Sequence, residues 1–416
     1  MTDRLGRPAT VPRTAVVFGA TGFIGKWLVK ALLDEGAVTT AAVRNARSAG
    51  RLLDWLEKHG VKVNRLNFIT VNLATDGIGI DARSFDTGDL ADVREVFNVA
   101  GAYAFGMTPE EARAANVDTS RRVVEFAAKL PNLVRLVHLS GYRVGGQSSG
   151  SAPWSESTRR AEYARLGAYE ASKKESDAVV QATARRLDVP LTVANPATVI
   201  GHSLTGESDQ VLGLASSIRD LIAGRLRAIP GNATTFVPVV TIDYLTRFMM
   251  LLPELEQTRG KSYWVLDDDT PFFPELLQLI GDHHRVAIPR PRLPVPLIKR
   301  LPQSLTRAHP ETLTFLSSDR YPTGPATELA RSQGLRHPDV FASLKRWSDY
   351  LESNASGPSR ESLPGPKCRA PWTKSAHGDA ISSERTALRT ETEESATVGE
   401  PPFSEGPSET KSPPVL

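Results

Sequence analysis

Cysteine, net charge and long apolar runs are what this sequence has least of. A single cysteine, Cys368, stands among 416 residues. That rules out an intramolecular disulfide framework and any multi-cysteine metal site. A reducing compartment suits such a chain, and a cytoplasmic location is expected. Lysine and arginine number 50 against 47 aspartates and glutamates, a formal net charge of +3. So even a balance supplies no basic field, and neither nucleic acid nor an anionic membrane is expected as a partner. No stretch approaches the ~20 apolar residues that span a bilayer. The best candidate, residues 236–252, is interrupted by Asp243 and Arg247. Arg4, Arg7 and Arg13 precede an apolar run, but Gly19, Gly22 and Gly25 break in too early for a signal sequence. No internal repeat is visible.

What is present is a pattern. From Thr14 to Asn195, short apolar runs alternate with amphipathic stretches. Strands are expected at residues 15–18, 39–43, 68–73, 96–99, 133–139 and 191–194. Helices are expected at 22–35, 47–59, 109–129 and 169–187. Continuous apolar strands between helices specify an α/β fold, a Rossmann-type doubly wound parallel sheet. The second half reads more loosely, with helices at 210–224, 242–252 and 339–351 and a strand at 236–240. It is expected to form a smaller lobe that binds substrate. The division that follows is a flexible 1–13, a dinucleotide-binding domain over 14–200, a substrate lobe over 201–352 and a disordered tail over 353–416. The tail is rich in Ser, Pro, Glu, Thr and Gly and offers too little apolar surface to offset its ordering entropy.

Gly19-Ala20-Thr21-Gly22-Phe23-Ile24-Gly25 lies between the first strand and the first helix. Gly19 can make a tight turn, Gly22 admits a pyrophosphate, and Gly25 allows close helix–strand packing. The helix N-terminus then faces the phosphates. Arg44 follows the second strand where an acidic residue would favour NAD, and a guanidinium there can pair with a 2′-phosphate. NADP(H) is therefore the expected cofactor, with NAD(H) allowed.

Tyr169 and Lys173 stand four apart on one helix face, and none of the other seven tyrosines has a lysine at that spacing. An ammonium one turn away is expected to lower the phenol's pKa and let it exchange a proton with a carbonyl or alcohol. Ser140 ends the fifth strand, at the sheet edge that carries ligands in open α/β folds. It can hold the substrate oxygen. Asn116, on the long helix, is expected to support a water relay to Lys173.

These residues together resemble the extended short-chain dehydrogenase/reductase superfamily. That branch includes NAD(P)-dependent epimerases and dehydratases, 3β-hydroxysteroid dehydrogenases and dihydroflavonol-reductase-like enzymes. The matching pieces are the glycine turn, Asn72-Leu73, Val99-Ala100-Gly101, Asn116-Val117, Ser140, Tyr169-x-x-x-Lys173 and Asn195-Pro196. The resemblance implies that Leu73 lies near adenine, that Ala100 and Gly101 lie near ribose and nicotinamide, and that the loop from Pro196 to Gly201 covers the nicotinamide. Two positions depart from the family pattern: Asn72 where Asp is usual, and Asn195 where Arg is frequent.

Tyr103 and Trp154 are candidate substrate contacts, and residues 142–167, with Gly145, Gly146 and Gly150, are expected to form a mobile lid. Trp27 and Trp55 are expected in the core. His283 and His284 have no evident metal-ligand partners and are expected at the surface, so no metal is expected. The expected activity is hydride transfer between NADP(H) and a small-molecule carbonyl or alcohol. Transient redox, as in epimerases and dehydratases, or non-catalytic dinucleotide sensing are the alternatives. A homodimer is compatible with this reading.

Overall fold

A computed structural model of the chain describes residues 13–86, 90–298, 300 and 310–354. Residues 1–12 and 355–416, which hold most of the expected flexible N-terminus and tail, lie outside the described residues.

Short runs of β-branched and apolar residues form β1 (Thr14–Phe18), β2 (Val38–Val43), β3 (Leu66–Thr70), β4 (Glu95–Asn98), β5 (Arg135–Leu139) and β6 (Leu191–Pro196). Two parallel pairs follow in the second half. They are β7 (Thr198–Ile200) with β9 (Val239–Thr241), and β8 (Ile229–Pro230) with β11 (Arg292–Leu293). The segment β10 (Ser262–Val265) returns to the main sheet beside β6. The seven-stranded order is β10-β6-β5-β4-β1-β2-β3, every pair parallel. It is a doubly wound Rossmann-type sheet with helices on both faces.

Successive strand residues point to opposite faces. Val17, Phe97 and Val137 pack against the helix Phe23–Asp34 and the helix Ile242–Leu251. Val16, Phe18, Val96 and Leu136 pack against Val123, Phe126 and Val180 on the other side. A further cluster builds the second-half lobe, where Leu276, Ile280, Leu344 and the fully buried Trp347 meet Ile218.

The structure corrects several expectations. The sheet does not end near residue 200, because β10 from the second half forms its outer strand. The expected strand at 236–240 is confined to Val239–Thr241, and Phe236 makes only a bridge to Ser317. Arg13, placed in the flexible N-terminus, is anchored. Its Nε lies 2.6 Å from Glu95 and its Nη1 lies 2.9 Å from Glu254. The helix expected over 109–129 is three segments, Pro109–Ala112, a π-helical Arg113–Asp118, and Thr119–Ala127. Such π-turns interrupt regular helix ladders and recur at functional sites.

Residues 142–167 do not stand clear of the body. They contain the helix Glu156–Leu166, and Trp154 and Tyr163 are buried with Ala112, Ala168 and Ala171. The buried Glu175 carboxylate accepts hydrogen bonds from Tyr163 at 3.0 Å and from Arg159 at 3.1 Å. A Cβ at Gly146 would lie 2.7 Å from the Trp264 ring. Among the described residues, no helix is long and apolar enough to cross a membrane.

Candidate active site

The glycine turn is shaped by close backbone approach. Gly19 has φ +81°, and a Cβ there would lie 2.7 Å from the Ala100 amide nitrogen. A Cβ on Gly25 would lie 2.0 Å from the Gly19 carbonyl oxygen. Only glycine lets the first helix sit this near the strand edge. The Gly22 N–H donates to the Gly19 carbonyl at 3.0 Å, and Gly22 caps the helix N-terminus. That cradle, open at a helix end and without a Cβ at Gly19, Gly22 and Gly25, fits a dinucleotide pyrophosphate.

A cavity of about 1110 Å³ opens from this turn. Its lining brings together Gly19, Gly22, Phe23, Ile24, Gly25, Ala100, Gly101, Tyr103, Ser140, Tyr169, Lys173 and Pro196. Thr21, Arg44, Asn72 and Leu73 do not line it. Arg44 is exposed just beyond β2, on the same carboxyl edge as Gly19. The Asn72 side chain accepts from the Ala74 amide at 3.1 Å, and the Leu73 carbonyl accepts from Arg122 at 3.1 Å. Trp154 is also elsewhere. Its ring is packed into the cluster under residues 156–171, so the structure withdraws it as a substrate contact.

Tyr169 and Lys173 project from the helix Ala168–Arg186. Lys173 Nζ donates to the Leu139 carbonyl at 3.3 Å, next to Ser140. Burial lowers the Lys173 pKa to about 8, against the opposing pull of Asp177. Tyr169 does not behave as its spacing suggested. Burial pushes its phenol well above the ordinary value, and Tyr103 and the Glu170 carboxylate add to the push. That direction is opposite to the lowering expected from Lys173, since burial disfavours the phenolate. Around Tyr169 stand three rings, with centroids at 5.2 Å for Tyr103, 5.5 Å for Phe105 and 6.4 Å for Phe315.

Asn116, in the π-turn, is 1% exposed. Its Oδ1 accepts from the Ala102 amide at 2.9 Å, its Nδ2 donates to Ser172 Oγ at 2.9 Å, and its carbonyl accepts from Ser176 Oγ at 3.1 Å. With both ends of its amide engaged, the side chain ties the loop after β4 to the helix bearing Tyr169.

Three groups escaped the sequence reading. Asp177 is fully buried, accepts from the Gln147 amide at 2.9 Å, and has a carboxyl pushed up by burial. Its place four residues after Lys173 was a usable signal. His138 is buried beside Asn98, at 3.2 Å, and burial with nearby Lys173 lowers its pKa to about 3. Arg143 donates to Glu170 at 3.3 Å and to Ser317 Oγ at 2.9 Å, but nothing in local spacing announces that bond across 174 residues.

Outside the cavity, Trp27 is buried and stacks on His202 at 4.9 Å, while Trp55 is partly buried and stacks on His59 at 3.9 Å. His283 and His284 are not unaccompanied at the surface. His283 Nε2 lies 2.7 Å from Asp349, and His284 Nε2 lies 2.8 Å from Ser348 Oγ, both on the last described helix.

Residues 17–249 match the model of an NAD-binding family described as male sterility protein. The chain belongs to this family, within the extended short-chain dehydrogenase/reductases. The chain is 29% identical over 304 residues to sterol demethylase protein B of Methylococcus capsulatus, covering 68% of this chain and 77% of that one. It is 25% identical over 248 residues to the hybrid PKS-NRPS synthetase gkaA of Penicillium citrinum. That match covers 57% of this chain and spans only 6% of the synthetase. Among solved structures, it resembles the terminal R domain from the myxalamid PKS-NRPS pathway. The TM-score is 0.66 at 19% identity, covering 84% of this chain and 92% of that one. It also resembles UDP-glucuronic acid 4-epimerase from Bacillus cereus in complex with UDP-glucuronic acid and NAD. There the TM-score is 0.58 at 16% identity, covering 82% of this chain and 99% of that one. Both likenesses show the fold.

Proposed function

We propose that the chain is an NADP-dependent oxidoreductase that interconverts a carbonyl and an alcohol. One observation carries this reading: Tyr169, Lys173 and Ser140 line the same cavity as the glycine turn. A bound nicotinamide cofactor would supply or accept the hydride. Gly19, Gly22 and Gly25 would admit its pyrophosphate, and Phe23, Ile24, Ala100, Gly101 and Pro196 would line its course. Thr21, Asn72 and Leu73 would stand near its rim.

The chain's own side chains handle the proton. With its phenol held neutral by burial, Tyr169 is a proton donor to the carbonyl oxygen as that oxygen gains negative charge. The Ser140 hydroxyl donates to the same oxygen. Lys173, one turn along, stabilises the phenolate left behind. Asn116 is a positioning residue that holds the Ala102 loop and Ser172 in register. The exposed Arg44 supports NADP over NAD by offering a guanidinium to a 2′-phosphate.

The test is NADPH absorbance against a panel of aldehydes and ketones, with NADH in parallel and with Tyr169→Phe as control. Net NADPH consumption that the variant loses, while still binding NADPH, supports the assignment. Preference for NADH rejects the Arg44 reading. Product formation with no net NADPH change points to transient redox, and tight NADPH binding with no turnover points to a sensor.

A second carbonyl class comes from the reductase domains among the relatives. Hydride addition to a thioester carbonyl would break the C–S bond and yield an aldehyde and a thiol. Thiol release from an acyl-coenzyme A with NADPH would favour that substrate.

A further inference from the structure

The cavity is larger than the ~300–1,000 Å³ usual for one small-molecule site, so it has room beyond the glycine turn. Its far wall is apolar and comes from the second-half lobe. Leu214, Val237, Phe273 and Leu313 line it, each less than a tenth exposed. Near Tyr169 the wall is aromatic. Tyr103 and Phe105 come from the loop after β4, and Phe315 comes from the short helix Pro310–Phe315. Phe105 and Phe315 also touch each other, with centroids 6.2 Å apart.

The charged groups on the lining are mostly spent on one another. Arg143 pairs with Glu170 at 3.3 Å and with Asp319 at 3.3 Å, and Arg225 pairs with Asp220 at 2.9 Å. Lys173 donates to a carbonyl. Arg227, the remaining cation on the described lining, is exposed. Thr198, Gln210, Ser216, Ser217 and Thr312 also line the cavity, but the rings and aliphatic side chains offer a polyhydroxylated sugar few partners for the hydrogen bonds to water that it would give up, which is costly. A hydrocarbon body would gain by leaving water and by packing edge-to-face on the rings.

We propose that the cavity takes a carbonyl compound with a bulky apolar body, fused-ring or aryl-substituted, and that Phe105 and Phe315 select it. This rests on the carbonyl-reducing reading above and narrows its substrate class. The rings flank the phenol, so an apolar group next to the carbonyl packs against their exposed faces while the carbonyl oxygen meets Tyr169. The Arg143 bonds to Glu170 and Ser317 hold the segment behind Phe315 against the body, which fixes that ring's place.

The experiment compares decalone with glyceraldehyde as NADPH-consuming substrates, using wild type, Phe315→Ala and Phe315→Leu. The expected kcat/KM ratio favours decalone by about 100-fold or more in wild type. Phe315→Ala lowers that ratio about tenfold, a size typical of lost apolar contacts in a pocket, and Phe315→Leu, which keeps apolar volume, retains most of it. A wild-type ratio near one, or a ratio untouched by Phe315→Ala in a folded variant, overturns the proposal. A second readout is the thermal shift caused by decalone in the presence of NADP. A shift in wild type that Phe315→Ala loses upholds the apolar site even if no carbonyl is turned over, in which case the reductase reading alone fails. No shift and no turnover with decalone overturns the apolar site, whatever glyceraldehyde does.

Discussion

Asn116 Nδ2 donates to Ser172 Oγ at 2.9 Å, and Ser172 Oγ in turn donates to the carbonyl of Tyr169 at 2.8 Å. The π-turn is thus coupled to the backbone of the proposed proton donor. Asn116→Ala would free the part-buried Ala102 amide and leave the buried Ser172 hydroxyl without its donor, at about 1 kcal/mol or more. The expected outcome is a lower melting temperature and a kcat reduced far less than in Tyr169→Phe. Asn116→Asp keeps the acceptor for Ala102 and should recover part of the loss. Calorimetry and NADPH kinetics on both variants read this directly.

Lys173 sets the expected pH profile of carbonyl reduction. Tyr169 stays protonated through the neutral range because burial pushes its phenol up. Lys173 has a pKa of about 8 in this state and loses its charge as pH rises through that value. The rate of reduction should therefore decline above about pH 8 on the lysine's account. Lys173→Arg, which keeps its charge, should move any remaining decline to higher pH. An unchanged alkaline limb in a measurably active Lys173→Arg would contradict this.

Gly25 leaves no room for a methyl group. A Cβ there would lie 2.0 Å from the Gly19 carbonyl oxygen, a backbone atom with no freedom to rotate away. Gly25→Ala should displace the first helix from the strand edge at roughly 1–3 kcal/mol, as for other overpacked sites. NADPH affinity measured by fluorescence titration should fall about tenfold or more.

His138 ties stability to pH. Its folded pKa is about 3, against an ordinary value of 6.5. The unfolded chain therefore binds the extra proton between those values, and stability falls as pH drops through that window. His337, lowered to about 4, acts in the same direction. Asp267, raised from 3.8 to about 6, acts in the opposite one, since its folded form takes up the proton first. The net expectation is a falling melting temperature between pH 6 and 4, less steep in His138→Gln than in wild type.

Much of this architecture was legible because its signals are local. The glycine turn, the alternating apolar runs and the Tyr169–Lys173 spacing each sit within one or two elements. Strand ends were read to within a few residues, since β6 continues through Asn195 and Pro196 by pairing with a partner that local pattern does not reveal. What escaped depends on distant packing. Trp154 sits in a glycine-rich stretch that looks loose, yet Tyr163 and Ala171 close over it. Phe315 reaches Tyr169 across 146 residues. Spacing shows the ammonium near the Tyr169 phenol but not the three rings packed around it.

The outer position of β10 has a consequence for how the chain comes together. A fragment cut after residue 200 would carry every element of the glycine turn and the Tyr169 helix, yet its sheet would end on β6 with the edge that pairs with β10 left open. On a ribosome, the nucleotide cradle is therefore synthesised well before the strand that seals its flank, and the first two hundred residues wait for some sixty more before their sheet has both its borders.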